Sequence, residues 1–160
     1  MAKSKFRLYL YAVMTLAVMG LIYYFSSHDG GTSRELSDGL LSDVLGLLGL
    51  TREITERIGI GIRKLAHLAE YAALGISSAL FFRELDISLK STKPSGRFFW
   101  YSVLLSFFYA VSDEIHQHFV PGRSMQLSDV LLDSFGALAA AFVVRQADRY
   151  IKLRRGAEEL

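Results

Sequence analysis

Arg63, Lys64, His67, Glu70 and Tyr71 recur at intervals that put them on one face of a helix. Asp113, Glu114 and Gln117, with His116 and His118 among them, occupy a short stretch before a Pro121-Gly122 turn and Arg123. Asp129, Asp133 and Gly136 make a third stripe at four- and three-residue spacing. Three fixed cations, Arg63, Lys64 and Arg123, suit the oxygens of a phosphate, and an arginine can grip two of them at once. A histidine beside carboxylates can serve as nucleophile or general acid–base, because small shifts move its charge across neutrality. The implied chemistry is hydrolysis or transfer at a phosphate or related headgroup, with His67, Glu70, Asp113, Glu114 and Asp129 as the reacting set. Ser26, Ser27, Arg63, Lys64, Tyr71, Gln117, Arg123 and Asp133 would then bind the substrate.

These residues lie in or beside apolar runs. Leu8 to Phe25 carries no charge, and its length suits a membrane span. A cleaved signal peptide also begins with basic residues, here Lys3, Lys5 and Arg7. This apolar run is too long for one, and Tyr24-Phe25-Ser26-Ser27 is a poor small-x-small cleavage site. Further spans are expected at 65–82, 98–120 and 127–144. Residues 34–62 alternate leucines and isoleucines with charges at helical spacing, which predicts one or two amphipathic helices in the membrane interface, broken near Gly49-Leu50-Thr51. A helical hairpin packed on the bundle would give the same pattern. The expected fold is all-α: a single membrane domain over 1–160, four transmembrane helices plus that interfacial segment. No β period and no internal repeat competes.

The amino terminus, the 83–97 loop with its Pro94-Ser95-Gly96 turn, and the 145–160 tail are all basic. Lysine and arginine mark the cytoplasmic side, so both termini are expected there. Glu70, Asp113 and Asp133 then each sit about 10 Å below the outer boundary of their helices, at about 1.5 Å per residue. Ionisable groups at such depth cost roughly 2.5–3.5 kcal/mol each on insertion scales. Interhelical polar bonds return well under about 1 kcal/mol on average. A polar site facing outward explains the set better than mere glue between helices.

The formal net charge of +2, without a basic cluster, argues against nucleic acid, and the absence of cysteine excludes disulfides and thiolate-bound zinc. A divalent cation (magnesium, manganese or zinc) is the cofactor to test, with His67, Glu70, Asp113, Glu114, His118, Asp129 and Asp133 as its candidate ligands. His67 and Glu70 at i, i+3 reverse the Glu-x-x-His order of di-metal bundles. His28 reads as loop, and His116 as pointing away from Glu114 and His118.

The ordered set Arg63-Lys64-x-x-His67-x-x-Glu70-Tyr71, Asp113-Glu114-x-x-Gln117, Pro121-Gly122-Arg123 and Asp129-x-x-x-Asp133-x-x-Gly136 resembles the VanZ-like family of bacterial membrane proteins. Ser26-Ser27 is similar to that family's serine motif after its first span. The resemblance runs from Leu8 to about Val144. It implies a four-span integral membrane protein, and its founding member is associated with resistance to the lipoglycopeptide teicoplanin. The serine-glycine-histidine motif of acid-phosphatase-type lipid phosphatases is missing, so a lipid phosphatase here would use a different constellation. Beside the enzyme stands a binding protein for a lipid, a cell-wall precursor or the antibiotic itself. Last comes an ion or proton pathway, disfavoured because the inner half of each expected span lacks ionisable residues.

Overall fold

The computed structural model describes residues 2–28, 47, 51–90, 96–121 and 123–158. Among them the chain is all helical, as four helices: α1 (Ala2–His28), α2 (Arg52–Lys90), α3 (Phe98–His118) and α4 (Leu127–Glu158). Three have the length and composition to cross a membrane: Lys5–Ser27 at mean hydropathy 1.8, Glu53–Leu89 at 1.3 and Leu127–Arg154 at 1.8. The expected four spans are thus three by that measure. α3 falls short because Ser102, Ser106, Ser112, Asp113 and Glu114 dilute its phenylalanines and leucines.

Helix boundaries depart from the expected ones in a consistent direction. Residues 52–62 are not a separate interfacial helix; they are the first turns of α2, continuous with the expected span. No proline interrupts 52–90, and Gly59 and Gly61 cost only about 1 kcal/mol apiece in a helix. The rest of that segment, 34–46 and 48–50, including the Gly49-Leu50 break, lies outside the described residues. Thr51 carbonyl receives both the N–H and the hydroxyl of Thr55, at 3.1 and 3.2 Å, as α2 begins. Likewise 83–90, expected in a loop, and most of 145–160, expected as a tail, are helical. Of the Pro94-Ser95-Gly96 turn only Gly96 is described, with φ 83, a left-handed backbone that suits glycine.

The helices alternate in direction. Ser26 at the end of α1 meets Asp113 near the end of α3, and Lys64 near the start of α2 meets Asp129 at the start of α4. At the opposite end, Arg7 of α1 pairs with Glu84 of α2, Arg83 with Asp148 of α4, and Arg145 lies over the Phe99 ring of α3. We refer to these as the pocket end and the far end.

The bundle is apolar outside and polar within. Leu16, Phe108, Leu131, Phe135 and Val143 are exposed, whereas Ser26, Glu84, Ser102, Ser106, Glu114 and Asp133 are fully buried. That inversion suits a lipid surround, where association relies on close packing of small residues. α3 turns Phe98, Ser102, Ser106, Ala110, Asp113 and Gln117 inward as one stripe. Its Ser102 hydroxyl donates to the Gly75 carbonyl at 3.0 Å and sits 2.6 Å from the Ser78 hydroxyl. α2 and α4 cross tightly at two glycines. A Cβ on Gly136 would come within 2.8 Å of the Leu68 carbonyl oxygen, and one on Gly75 within 2.8 Å of Ala137 Cα. An apolar layer of Ala79, Phe98, Phe99 and Ala141 lies towards the far end.

Candidate functional site

α3 ends at His118, and the chain reverses through 119–126. Phe119 N–H bonds the His116 carbonyl, Val120 N–H that of Gln117, and Arg123 N–H that of Val120. Pro121 follows the helix end, where a residue that cannot continue the ladder is tolerated. The reversal is tied down from within: the Glu114 carboxylate accepts Gln126 N–H at 2.9 Å. The Gln126 carbonyl in turn receives the N–H groups of Asp129 and Val130, which starts α4. Glu114 therefore sets the height of the turn, and with it Arg123, Ser124 and Gln126.

Those three residues form one wall of a cavity of about 400 Å³; Ile60, Arg63, Lys64 and His67 of α2, Gln117 of α3 and Asp129 of α4 complete it. Six residues singled out in the sequence, Arg63, Lys64, His67, Gln117, Arg123 and Asp129, meet there. Lys64 Nζ lies 3.2 Å from Asp129 Oδ1, a half-exposed ion pair. His67 Nδ1 lies 3.6 Å from Glu70 Oε2, so Glu70 stands one turn behind the imidazole that faces the cavity.

The remaining singled-out residues lie elsewhere. Ser26 is buried and donates to Asp113 Oδ2 at 2.9 Å, while Gln117 Nε2 donates to the same carboxylate oxygen at 2.9 Å and to Ser26 Oγ at 3.1 Å. Arg123 Nη1 donates to the Ser26 carbonyl at 3.3 Å, a cation on the last carbonyls of α1. Ser27 Oγ is 3.0 Å from His116 Nε2, and the His116 ring packs 4.7 Å from that of Tyr23. Both serines thus join α1 to α3. His116 is not among the residues lining the cavity. His118 is exposed, its ring against Phe119. Tyr71 and Asp133 are buried beneath the cavity floor, with Tyr71 within electrostatic reach of Asp113 and Asp133. Asp133 is in turn within reach of Asp113, Asp129, Glu114 and Glu70.

Three of the seven candidate metal ligands, Asp113, Glu114 and Asp129, are engaged with donors inside the protein. Among the described residues no three of the acids and histidines come together as a ligand group. The reason is visible in their partners: Asp113 is taken by Ser26 and Gln117, Glu114 by Gln126, and Asp129 by Lys64. These carboxylates are turned to separate donors rather than to one point.

Sequence reasoning missed Ile60, Ser124 and Gln126 in the cavity wall, which carry no signal beyond proximity to the motifs. It also missed a buried ionic cluster at the far end. Asp148 accepts Arg83 Nε at 2.7 Å and Lys152 Nζ at 2.7 Å, and Glu84 accepts Arg83 Nη1 at 3.0 Å. Glu84 is 1% exposed and Asp148 5%. α2 and α4 run past the expected spans 65–82 and 127–144, and it is these extensions at the far end that carry the cluster. Arg83-Glu84 directly after an apolar run carries the signal, although two adjacent charges there read equally as a loop. The apolar layer of Ala79, Phe98, Phe99 and Ala141 stands between this cluster and the pocket end.

A family model described as VanZ/LLP1 matches residues 11–148, which include every residue lining the cavity and Arg83, Glu84 and Asp148 of the far-end cluster, but not Lys152 or Arg7. No curated protein and no solved structure matches the chain.

Proposed function

The chain belongs to the VanZ/LLP1 family, and we propose that it is a four-span membrane protein whose cavity binds the phosphate-bearing headgroup of a lipid or cell-envelope precursor. α3 counts as the fourth span because it packs antiparallel between two helices that are long and apolar enough to cross. Arg7, Arg83, Arg145 and Lys152 gather at the far end, so by the positive-inside preference that end is cytoplasmic and the cavity opens outside the cell.

The observation that carries the reading is the convergence of Arg63, Lys64 and Arg123 with His67 and Gln117 on one cavity, from two helices and a turn. Guanidinium and ammonium donors at a partly desolvated site favour a multiply charged oxyanion. His67, with Glu70 behind it, is placed to deprotonate a water or to protonate a leaving oxygen, which makes hydrolysis or transfer at the phosphate the chemistry this site supports. Altering or sequestering a lipid-linked headgroup on the outer face would also change what a lipoglycopeptide such as teicoplanin meets there.

A second reading, binding without turnover, is favoured by one observation: Asp113, Glu114 and Asp129 are engaged with partners inside the protein, which leaves the His67–Glu70 pair to do the acid–base work. Phosphate release from polyprenyl phosphate and phosphatidic acid, by protein in lipid nanodiscs, separates the two. Catalysis predicts release that His67→Ala abolishes with folding intact; lipid bound but never cleaved by the unaltered protein supports the binder.

A further inference from the structure

α1 is the least embedded helix. It packs along α2 but meets α3 sparsely, and α3 in turn packs broadly on α2 and α4. α1 and α3 share apolar packing around Ile22 and Ala110 and the Tyr23–His116 ring contact, and they are joined by polar bonds: Ser26 to Asp113 and Gln117 and Ser27 to His116 at the outer end, and Tyr109 hydroxyl to the Met19 carbonyl. Outside these contacts, the flanks of the seam carry exposed Tyr23, Tyr24, Phe108, Ile115 and Phe119. Polar bonds between two membrane helices are each worth about 1 kcal/mol or less, so the bonds at the outer end of the seam, beyond the Ile22–Ala110 packing, break at low cost.

The same contacts run into the cavity. Gln117 and Arg123 line it, and both also hold the outer end of α1: Gln117 through Ser26 Oγ, Arg123 through the Ser26 carbonyl. An anion in the cavity competes with a neutral carbonyl for the Arg123 guanidinium, and a charged acceptor wins. Occupancy of the cavity and release of α1 are therefore linked through two side chains. A headgroup held at this position also needs somewhere for its hydrocarbon chain, which cannot remain in water. Gln117 and Arg123 stand between the cavity and the outer end of α1, so a parting of α1 from α3 there would lead from the cavity to the bilayer.

Resting on the headgroup reading above, we propose that the ligand is a long-chain lipid which reaches the cavity from the bilayer, its hydrocarbon chain passing between α1 and α3 as the latch of Ser26, Gln117 and Arg123 opens. The latch is closed in the structure. A ligand without a hydrocarbon chain has no need of this route, since the cavity wall at Ile60 and Ser124 lies at the exposed surface.

The chain contains no cysteine, which allows a direct test. Ser27→Cys with His116→Cys places two thiols across the seam, where a short reducible bis-methanethiosulfonate joins them. The protein is held in nanodiscs, and two probes are used: fluorescent long-chain phosphatidic acid and inorganic phosphate. Joining the helices is expected to slow long-chain lipid binding at least tenfold and leave phosphate binding unchanged, with reductant restoring the rate. Unchanged lipid binding in the joined protein overturns the route while the headgroup reading stands. If neither probe binds the unjoined protein, the headgroup reading falls and takes the route with it. Tyr23→Cys with His116→Cys is the second pair should the first fail to fold.

Discussion

The Glu114 carboxylate accepts the backbone N–H of Gln126 at 2.9 Å, across a turn that separates the two residues by twelve positions. Glu114 is buried, and this bond fixes the reversal that carries Arg123 into the cavity. A carboxylate in the middle of an apolar bundle looks like chemistry in the sequence. In the fold it positions a loop.

Glu114→Ala leaves the Gln126 N–H without its acceptor and is expected to cost about 1–3 kcal/mol. Glu114→Gln keeps an acceptor oxygen and should recover most of that stability. Unfolding followed by the fluorescence of Trp100 measures both. Phosphate affinity should fall with Glu114→Ala as Arg123 loses its fixed position.

Gly136→Ala and Gly75→Ala each place a Cβ against backbone of the facing helix, the Leu68 carbonyl and Ala137 Cα respectively, both at 2.8 Å. Neither neighbour is the tip of a flexible side chain, so α2 and α4 must separate. The expected loss is about 1–3 kcal/mol for each. A midpoint of thermal unfolding within error of the unaltered protein would show that the crossing is looser than described.

How far the sequence carried can be judged from particular residues. The helices were legible because apolar runs and three-four spacing report directly on length and face, but faces alone do not show convergence: the three residues compared by depth, Glu70, Asp113 and Asp133, are not the ones that line the cavity. Helix ends were not legible. Residues 83–90 look like a loop because Arg83 and Glu84 are charged, and only the fold shows that Asp148, in a segment assigned to the tail, comes to meet them. In the sequence Ser26 reads as a substrate-binding residue and Asp113 as a reacting group. They proved to be partners, a pairing across 87 positions that spacing cannot express.

Arg83→Ala is expected to be among the most destabilising single changes. It strips Glu84 and Asp148, 1% and 5% exposed, of their shared guanidinium. Glu84 keeps Arg7 at 3.7 Å and Asp148 keeps Lys152 at 2.7 Å, so the loss should fall below the cost of about 3–5 kcal/mol for a buried charge left without a partner. Arg83→Leu combined with Glu84→Leu and Asp148→Leu should be markedly more stable than Arg83→Ala alone. Equal midpoints would assign the cluster to something other than charge pairing.

Asp129→Asn removes the carboxylate that competes for Lys64, whose Nζ lies 3.2 Å away. Inorganic phosphate should then bind more tightly, and Lys64→Gln should weaken it. The pair is partly exposed, so either change is expected to stay near 1 kcal/mol, about fivefold in affinity. Equilibrium dialysis with radiolabelled phosphate reads the sign directly.

The central claim is that Arg63, Lys64 and Arg123 make the cavity a receptor for a phosphate-bearing headgroup. Native mass spectrometry of protein released from membranes in mild detergent, compared with Arg63→Gln plus Arg123→Gln, tests it most directly. The account predicts a bound phosphate-bearing lipid on the unaltered protein that is lost from the double variant while the Trp100 unfolding profile is kept. Recovery of the same lipid in the same amount on both proteins, or of no phosphate-bearing lipid on either, would contradict it.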